Sequence, residues 1–257
     1  VKIAVLGAGH MGSWLVKELT RNNEVCIYDQ DRLKAERIQN AAVLKAYSGL
    51  RDFKPQMLIN AVSLQNTLGA FESAVSYLPS DCIISDVASV KEGISDYYKK
   101  STFRFASVHP MFGPTFANAD WLENENVIII KESDREGARF FRNFFDKMEL
   151  NIYEYSFEEH DQMTAYSLTL PFASTMVFAA CMDTTAVPGS TFKKHREIAK
   201  GLLSEDDYLL AEILFNPYSL NQLEKVASRL EFLKHVIRGK DIEEAIKFFN
   251  RLRENIQ

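Results

Sequence analysis

The sequence predicts an α/β protein: an N-terminal Rossmann-type, doubly wound, mostly parallel sheet followed by an all-helical C-terminal domain. Three observations carry that prediction. The chain opens on an apolar run, a G-x-G-x-x-G and an amphipathic stretch, which read as strand, tight turn and helix. From there to about Tyr155, short apolar runs alternate with helix-periodic segments, the pattern of parallel strands joined by crossover helices. From about Phe157 to Gln257, almost every segment has helical periodicity.

Residues 2–6 form the first strand. Gly7 permits the sharp turn, Gly9 lets the backbone approach a pyrophosphate, and Gly12 lets the following helix pack closely, with His10 and Met11 in the same turn. The helix N-terminus then offers free N–H groups and a positive dipole end to phosphates. A second strand over residues 24–28 ends at Asp29, about twenty residues past the glycines, where an acidic side chain meets the adenosine ribose. That carboxylate favours NAD over NADP; Arg32, a turn later, argues the other way, and Asp29 has an alternative use as a helix N-cap. Next come a helix at 33–42, strands at 43–47 and 57–62, a helix at 68–77, a strand at 82–86 and a helix at 90–99. Strands at 105–108 and 126–130, a helix at 134–148 and a strand at 152–155 close the region, giving domains of 1–155 and 156–257. The helical part is interrupted near Val187 to Ser190 and at Asn216-Pro217. Its segment 163–182 is apolar on most faces and contains Pro171, which predicts burial in a core or against a second copy in a homodimer.

Composition bounds the function. At 257 residues the chain fits one large or two modest domains, and 46% hydrophobic with 25% charged residues is ordinary for a soluble globular protein. A net charge of −5 leaves no basic footprint for nucleic acid. Cys26, Cys82 and Cys181 lie in apolar stretches without metal-ligand spacing, so they read as reduced, buried thiols of a cytoplasmic protein. No stretch reads as a membrane span, and the opening strand reads as a trimmed or processed start.

Parallel-sheet enzymes place their sites at the carboxyl ends of strands. Three segments qualify: Asn60 to Ser63, whose Val62 and Ser63 line the cofactor; Asp86 to Lys91; and His109 to Pro114. A histidine between a strand end and a proline is fixed in direction, and its ordinary pKa near 6.5 suits it to accept a hydroxyl proton. The alternative is a histidine that only braces its loop.

With those segments in view, the chain resembles the prephenate dehydrogenase family of prephenate, arogenate and cyclohexadienyl dehydrogenases. The resemblance rests on Gly7 to Gly12, on Asp86 to Lys91 as D-x-x-S-V-K, on His109-Pro110-Met111-Phe112-Gly113, and on Glu159-His160-Asp161 before the helical part. It covers essentially the whole chain. It implies oxidation of the ring alcohol of prephenate by NAD, with loss of carbon dioxide to give 4-hydroxyphenylpyruvate in tyrosine biosynthesis, and needs no metal. His109 matches the catalytic histidine, Ser89 the serine that positions the hydroxyl, and Lys91 the lysine beside the cofactor. The family's carboxylate-binding arginine falls on Lys193 by ungapped counting and on Arg196 by local pattern; Arg196 is preferred because guanidinium binds carboxylate in a bidentate manner.

There are departures. Many relatives carry S-H-L-P-H where this chain has Leu168-Thr169-Leu170-Pro171-Phe172, which leaves Thr169 as a substrate-side candidate. Thr115 stands where some relatives have a glutamate. His160 and Asp161 have two uses, substrate binding or capping of the long helix. Competing readings are an arogenate dehydrogenase, a β-hydroxyacid or imine-type dehydrogenase, and a catalytically silent NAD-binding subunit.

Overall fold

The structure, a computed structural model, describes residues 1–112, 122, 125–183, 185 and 187–256. Gly113, Pro114 and Thr115 of the sequence argument lie outside the described residues.

The strands are β1 (Lys2–Leu6), β2 (Glu24–Tyr28), β3 (Ala42–Val43), β4 (Met57–Asn60), β5 (Ile83–Asp86), β6 (Phe105–Pro110), β7 (Asn126–Ile130) and β8 (Asn151–Tyr155). They form one sheet of order β3-β2-β1-β4-β5-β6-β7-β8. Every pairing is parallel except β6 with β7, which is antiparallel. The order reverses beside β1, so the ends of β1 and β4 flank a topological switch point, where open α/β sheets bind ligands.

Among them run α1 (His10–Leu19), α2 (Arg32–Glu36), α3 (Gly49–Phe53), α4 (Thr67–Ala74), α5 (Ile94–Lys100) and α6 (Arg135–Asp146). Both faces of the sheet are covered, so the inner strands are buried along nearly their whole length instead of alternating. Side chains of β1 still divide by their period of two. Ile3 and Val5 join Trp14, Leu15, Phe141 and Phe145 on one face, while Ala4 and Leu6 join Leu58, Phe71, Ile84 and Tyr98 on the other. Helix α6 starts where the Asp134 carboxylate accepts from the Glu136 and Gly137 N–H groups, and it buries Phe141 and Phe145 one turn apart.

The remaining helices are α7 (Phe157–Thr164), α8 (Leu170–Ala180), α9 (Ser190–Leu202), α10 (Asp207–Leu214), α11 (Ser219–Gly239) and α12 (Ile242–Glu254). The chain forms two compact units, one of Val1–Thr164 with Asp206–Asn216, the other of Ala165–Glu205 with Pro217–Gln257. This grouping differs from a cut at residue 155: α7 packs on β7 and β8, and α10 returns to lie against the turn Leu64–Asn66.

Five local expectations are corrected. The helix read at 33–42 stops at Glu36, and the strand read at 43–47 shrinks to two residues, with Asn40 left-handed (φ 65°) between them. The helix read from Val90 begins at Ile94, after Gly93. Cys181 is exposed, whereas Cys26 and Cys82 are buried as expected. Lastly, helical residues Phe157–Ala180 do form a stretch long and apolar enough to cross a membrane, with mean hydropathy 1.2. Pro171 interrupts its register: lacking an N–H and crowding the carbonyl a turn earlier, it accounts for the π-helical segment Ala165–Thr169.

In the second unit α8 packs on α9 and α11, and Phe232 of α11 meets Phe248 of α12 at 5.1 Å. Among α8's described residues only Ala173 is buried. The burial expected for this helix is therefore not supplied within the second unit, whose α11 and α12 also expose Leu220, Ile237, Ile242 and Phe249.

Candidate active site

The glycine turn is fixed by steric exclusion. Gly7 has φ +95°, and a Cβ there would lie 2.6 Å from the Ala61 carbonyl oxygen, so the turns after β1 and β4 are in direct contact. A Cβ on Gly12 would lie 2.0 Å from the Gly7 oxygen, so α1 sits directly on the turn. Gly9 differs: nothing lies within 4 Å of its Cβ position. As the N-cap of α1 it brings no side chain to the helix's first N–H groups. These features fit a bound pyrophosphate. An open groove of about 760 Å³ extends from Gly9, His10 and Ser13 toward Lys34 and Arg37. Met11 is half-buried against the core.

Asp29 directly follows β2, its Oδ2 accepting from the Ala8 N–H (2.6 Å) and its Oδ1 from the Asp31 N–H (2.8 Å), which ties the carboxylate to the glycine turn. The N-cap of α2 is Asp31, which accepts from Leu33, so the capping alternative for Asp29 falls away. Arg32 is paired with Glu36 at 2.7 Å. At the end of β4, Asn60 braces the following turn by donating to the Thr67 carbonyl (2.8 Å), and that turn carries half-buried Val62 and exposed Ser63 beside the glycine turn.

A second constellation stands at the ends of β5 and β6. His109 Nδ1 is 2.9 Å from His160 Nε2, and His160 Nδ1 is 2.8 Å from Asp161 Oδ1. Asp161 Oδ1 also accepts from the Lys91 N–H (3.1 Å), and the Asp161 carbonyl accepts from Asn216 Nδ2 (3.0 Å). This chain of contacts dictates the tautomers. A carboxylate only accepts, so His160 carries its proton on Nδ1 and its Nε2 is an acceptor. His109 must then donate from Nδ1, which leaves its Nε2 unprotonated. Ser89 is half-buried on the turn between Asp86 and Lys91.

Burial sets the charges. It holds His109 well below the usual histidine range, with His160 and the Lys91 charge acting in the same direction. It pushes His160 down to about 3, again with Lys91. Burial raises the Asp161 carboxyl, against the pull of the Lys91 N–H and charge. Both histidines are therefore neutral at pH 7, and His109 is a neutral base.

Lys91 itself is fully buried, its ammonium 2.5 Å from Asp86 Oδ2 and 2.8 Å from the Val108 carbonyl. Asp86 Oδ1 accepts from the Tyr98 hydroxyl (2.8 Å) and Oδ2 from the Ala88 N–H (3.0 Å). The capping use of His160 and Asp161 is corrected. Helix α7 is capped by Ser156, whose Oγ accepts from the Glu159 N–H while Glu159 accepts from the Ser156 N–H, a reciprocal capping box.

Three candidates belong to the second unit. Thr169 is fully buried with its hydroxyl 2.7 Å from Ser219 Oγ, which makes it part of that unit's packing and not an open surface. Lys193 and Arg196 lie on α9, Lys193 exposed and Arg196 39% exposed with Nε 3.5 Å from Glu197. Sequence reasoning missed Tyr98 and Asn216; the break at Asn216-Pro217 was the only signal for the latter.

Residues 14–153, more than half of the chain, match the family model described as prephenate dehydrogenase, nucleotide-binding domain. Arogenate dehydrogenase 2, chloroplastic, of Arabidopsis thaliana is 24% identical over 93% of this chain and 71% of its own length. A Methanocaldococcus jannaschii relative, named for arogenate and prephenate dehydrogenase together, is 20% identical over 94% of this chain, which spans only 57% of it. The crystal structure of prephenate dehydrogenase from Aquifex aeolicus with hydroxyphenyl propionate and NAD+ shares the fold (TM-score 0.84, 19% identity, covering 100% and 98% of the two chains). So does that of Synechocystis arogenate dehydrogenase (TM-score 0.76, 20% identity, covering 99% and 98%).

Proposed function

The chain belongs to the prephenate dehydrogenase family of NAD-dependent oxidoreductases, and from that premise we propose that it converts prephenate to 4-hydroxyphenylpyruvate with release of carbon dioxide, in tyrosine biosynthesis. The observation that carries this reading is the Asp161–His160–His109 chain of contacts at the carboxyl end of β6, from which the unprotonated Nε2 of His109 follows. Oxidising a ring alcohol requires a base for the hydroxyl proton, and a buried neutral imidazole of fixed direction supplies one. As His109 takes the proton, its Nδ1–H gains acidity and leans on His160, whose own Nδ1–H leans on Asp161. The carboxylate thus stabilises the charge that develops two residues away.

Ser89 orients the hydroxyl. Gly7, Gly9, Gly12, His10 and Met11 hold the dinucleotide phosphates through the turn and the start of α1, Asp29 takes the adenosine ribose, and Val62 and Ser63 line the remainder. Bound NAD supplies the hydride acceptor. On α9, Arg196, with Lys193 one turn away, binds a substrate carboxylate. The second unit is then a substrate-binding and dimerisation domain: apolar α8 and the exposed apolar residues of α11 and α12 are the surface a second copy would cover. The enzyme is read as cytoplasmic.

Arogenate is the second substrate reading, because it undergoes the same oxidation and a curated relative carries its name. Purified protein offered NAD with prephenate and with arogenate in parallel tests both, through the absorbance of NADH at about 340 nm. A rate with prephenate supports the proposal, a rate with arogenate alone transfers it to that substrate, and silence with both defeats it.

A further inference from the structure

Lys91 stands where the family's cofactor-side lysine is expected, yet no part of its side chain is accessible. Burying an ammonium is costly, and a position that only fills space is served as well by an apolar side chain. The contacts of Lys91 say what it does instead. Its ammonium donates to the Val108 carbonyl, on the residue next to His109, so it grips the peptide on which that histidine is mounted. Its main-chain N–H donates to the Asp161 carboxylate, which orients His160. Asp86 anchors the ammonium and is itself held from two sides, by the Ala88 N–H and by Tyr98, whose ring stacks on Phe105 with centroids 4.2 Å apart.

We propose that Lys91 is a positioning residue for the oxidation: from inside the fold it locks His109 and the His160–Asp161 pair into one frame and sets a positive charge behind both histidines, without touching the dinucleotide. The inference rests on the role proposed for His109. The groups around the histidines are His160 and Asp161 from α7, Asp86 from β5, Lys91 from the turn that follows, and Tyr98 from α5. Among them Lys91 opposes protonation of both rings, while Asp86 partly offsets it at His160.

The test is a pH titration of the His109 and His160 ring signals by NMR, assigned through H109N and H160N, in the wild type and in K91M. An NAD titration and a kcat/KM pH profile accompany it. K91M should raise both histidine pKa values by about one unit, move the acidic limb of kcat/KM with them, and leave NAD affinity unchanged. If K91M does not fold, D86N/K91M removes both charges without stranding one in the interior. His160 should again move up, because Lys91 outweighs Asp86 there. Unmoved histidine titrations, or a loss of NAD affinity with the histidines unmoved, would overturn the proposal and return Lys91 to the cofactor. Histidines that move in a protein forming no NADH would leave the positioning role standing and remove the oxidation reading.

Discussion

Acidification should unfold this protein through its paired histidines. His160 has a folded pKa of about 3 against an ordinary value of 6.5, because burial opposes its charge. The unfolded chain therefore takes up this proton first as pH falls. Stability is fully present above about pH 6.5 and is lost progressively toward pH 3. At one pKa unit per 1.36 kcal/mol the full effect is about 5 kcal/mol, and the part lost between pH 7 and pH 5 is about 2 kcal/mol. His109, also held well below its usual range by burial, acts in the same direction. Asp161 acts oppositely, since burial raises its carboxyl, but mainly nearer its own ordinary range. Urea midpoints at pH 7 and pH 5, followed by circular dichroism and by the fluorescence of buried Trp14, measure the loss. H160N should show a lower stability at pH 7 and a smaller loss between pH 7 and pH 5 than the wild type. A wild-type midpoint that does not change between the two pH values, or an H160N slope equal to that of the wild type, would refute the assignment of both rings as buried and neutral.

Three further outcomes follow from the geometry. Gly12→Ala places a Cβ 2.0 Å from the Gly7 oxygen and should cost about 1–3 kcal/mol of stability as well as NAD affinity, whereas Gly9→Ala, with open space around it, should keep the melting temperature and lose affinity only. Thermal melts and NAD titrations separate the two. Arg196→Ala should raise KM for the cyclohexadienyl substrate with NAD affinity unchanged; if Lys193→Ala does so instead, the lysine is the carboxylate ligand. Asp29→Asn should narrow the preference for NAD over NADP in a pair of dinucleotide titrations, and an unchanged ratio would detach Asp29 from the ribose.

What could be read from the sequence was local. The glycine turn is legible because sterics over a few residues dictate it: Gly7 and Gly12 have no room for a Cβ whatever the rest of the fold does. The strands of the sheet centre are legible because burial on both faces leaves apolar runs such as those of β1 and β4. His109 was legible from its place between a strand end and Pro110. Its partner geometry was not, because it joins residues 51 apart in the chain. Tyr98 and Asn216 were invisible for the same reason: each becomes informative only once α5 and the segment after α10 lie against Asp86 and Asp161. The burial of Lys91 was likewise not legible, because its ammonium is enclosed by Asp86 and the Val108 carbonyl, which only the folded sheet brings around it. Periodicity misled at α2, where the chain turns at left-handed Asn40 and ends a helix that the pattern would continue.

The proposed oxidation turns on His109 as the base, and turnover of His109→Asn tests that most directly. Asparagine keeps a donor near Nδ1 but has no basic nitrogen at Nε2. The prediction is a fall in kcat by about two to four orders of magnitude, with NAD affinity retained. Turnover equal to the wild type, with the same substrate and cofactor, would contradict it.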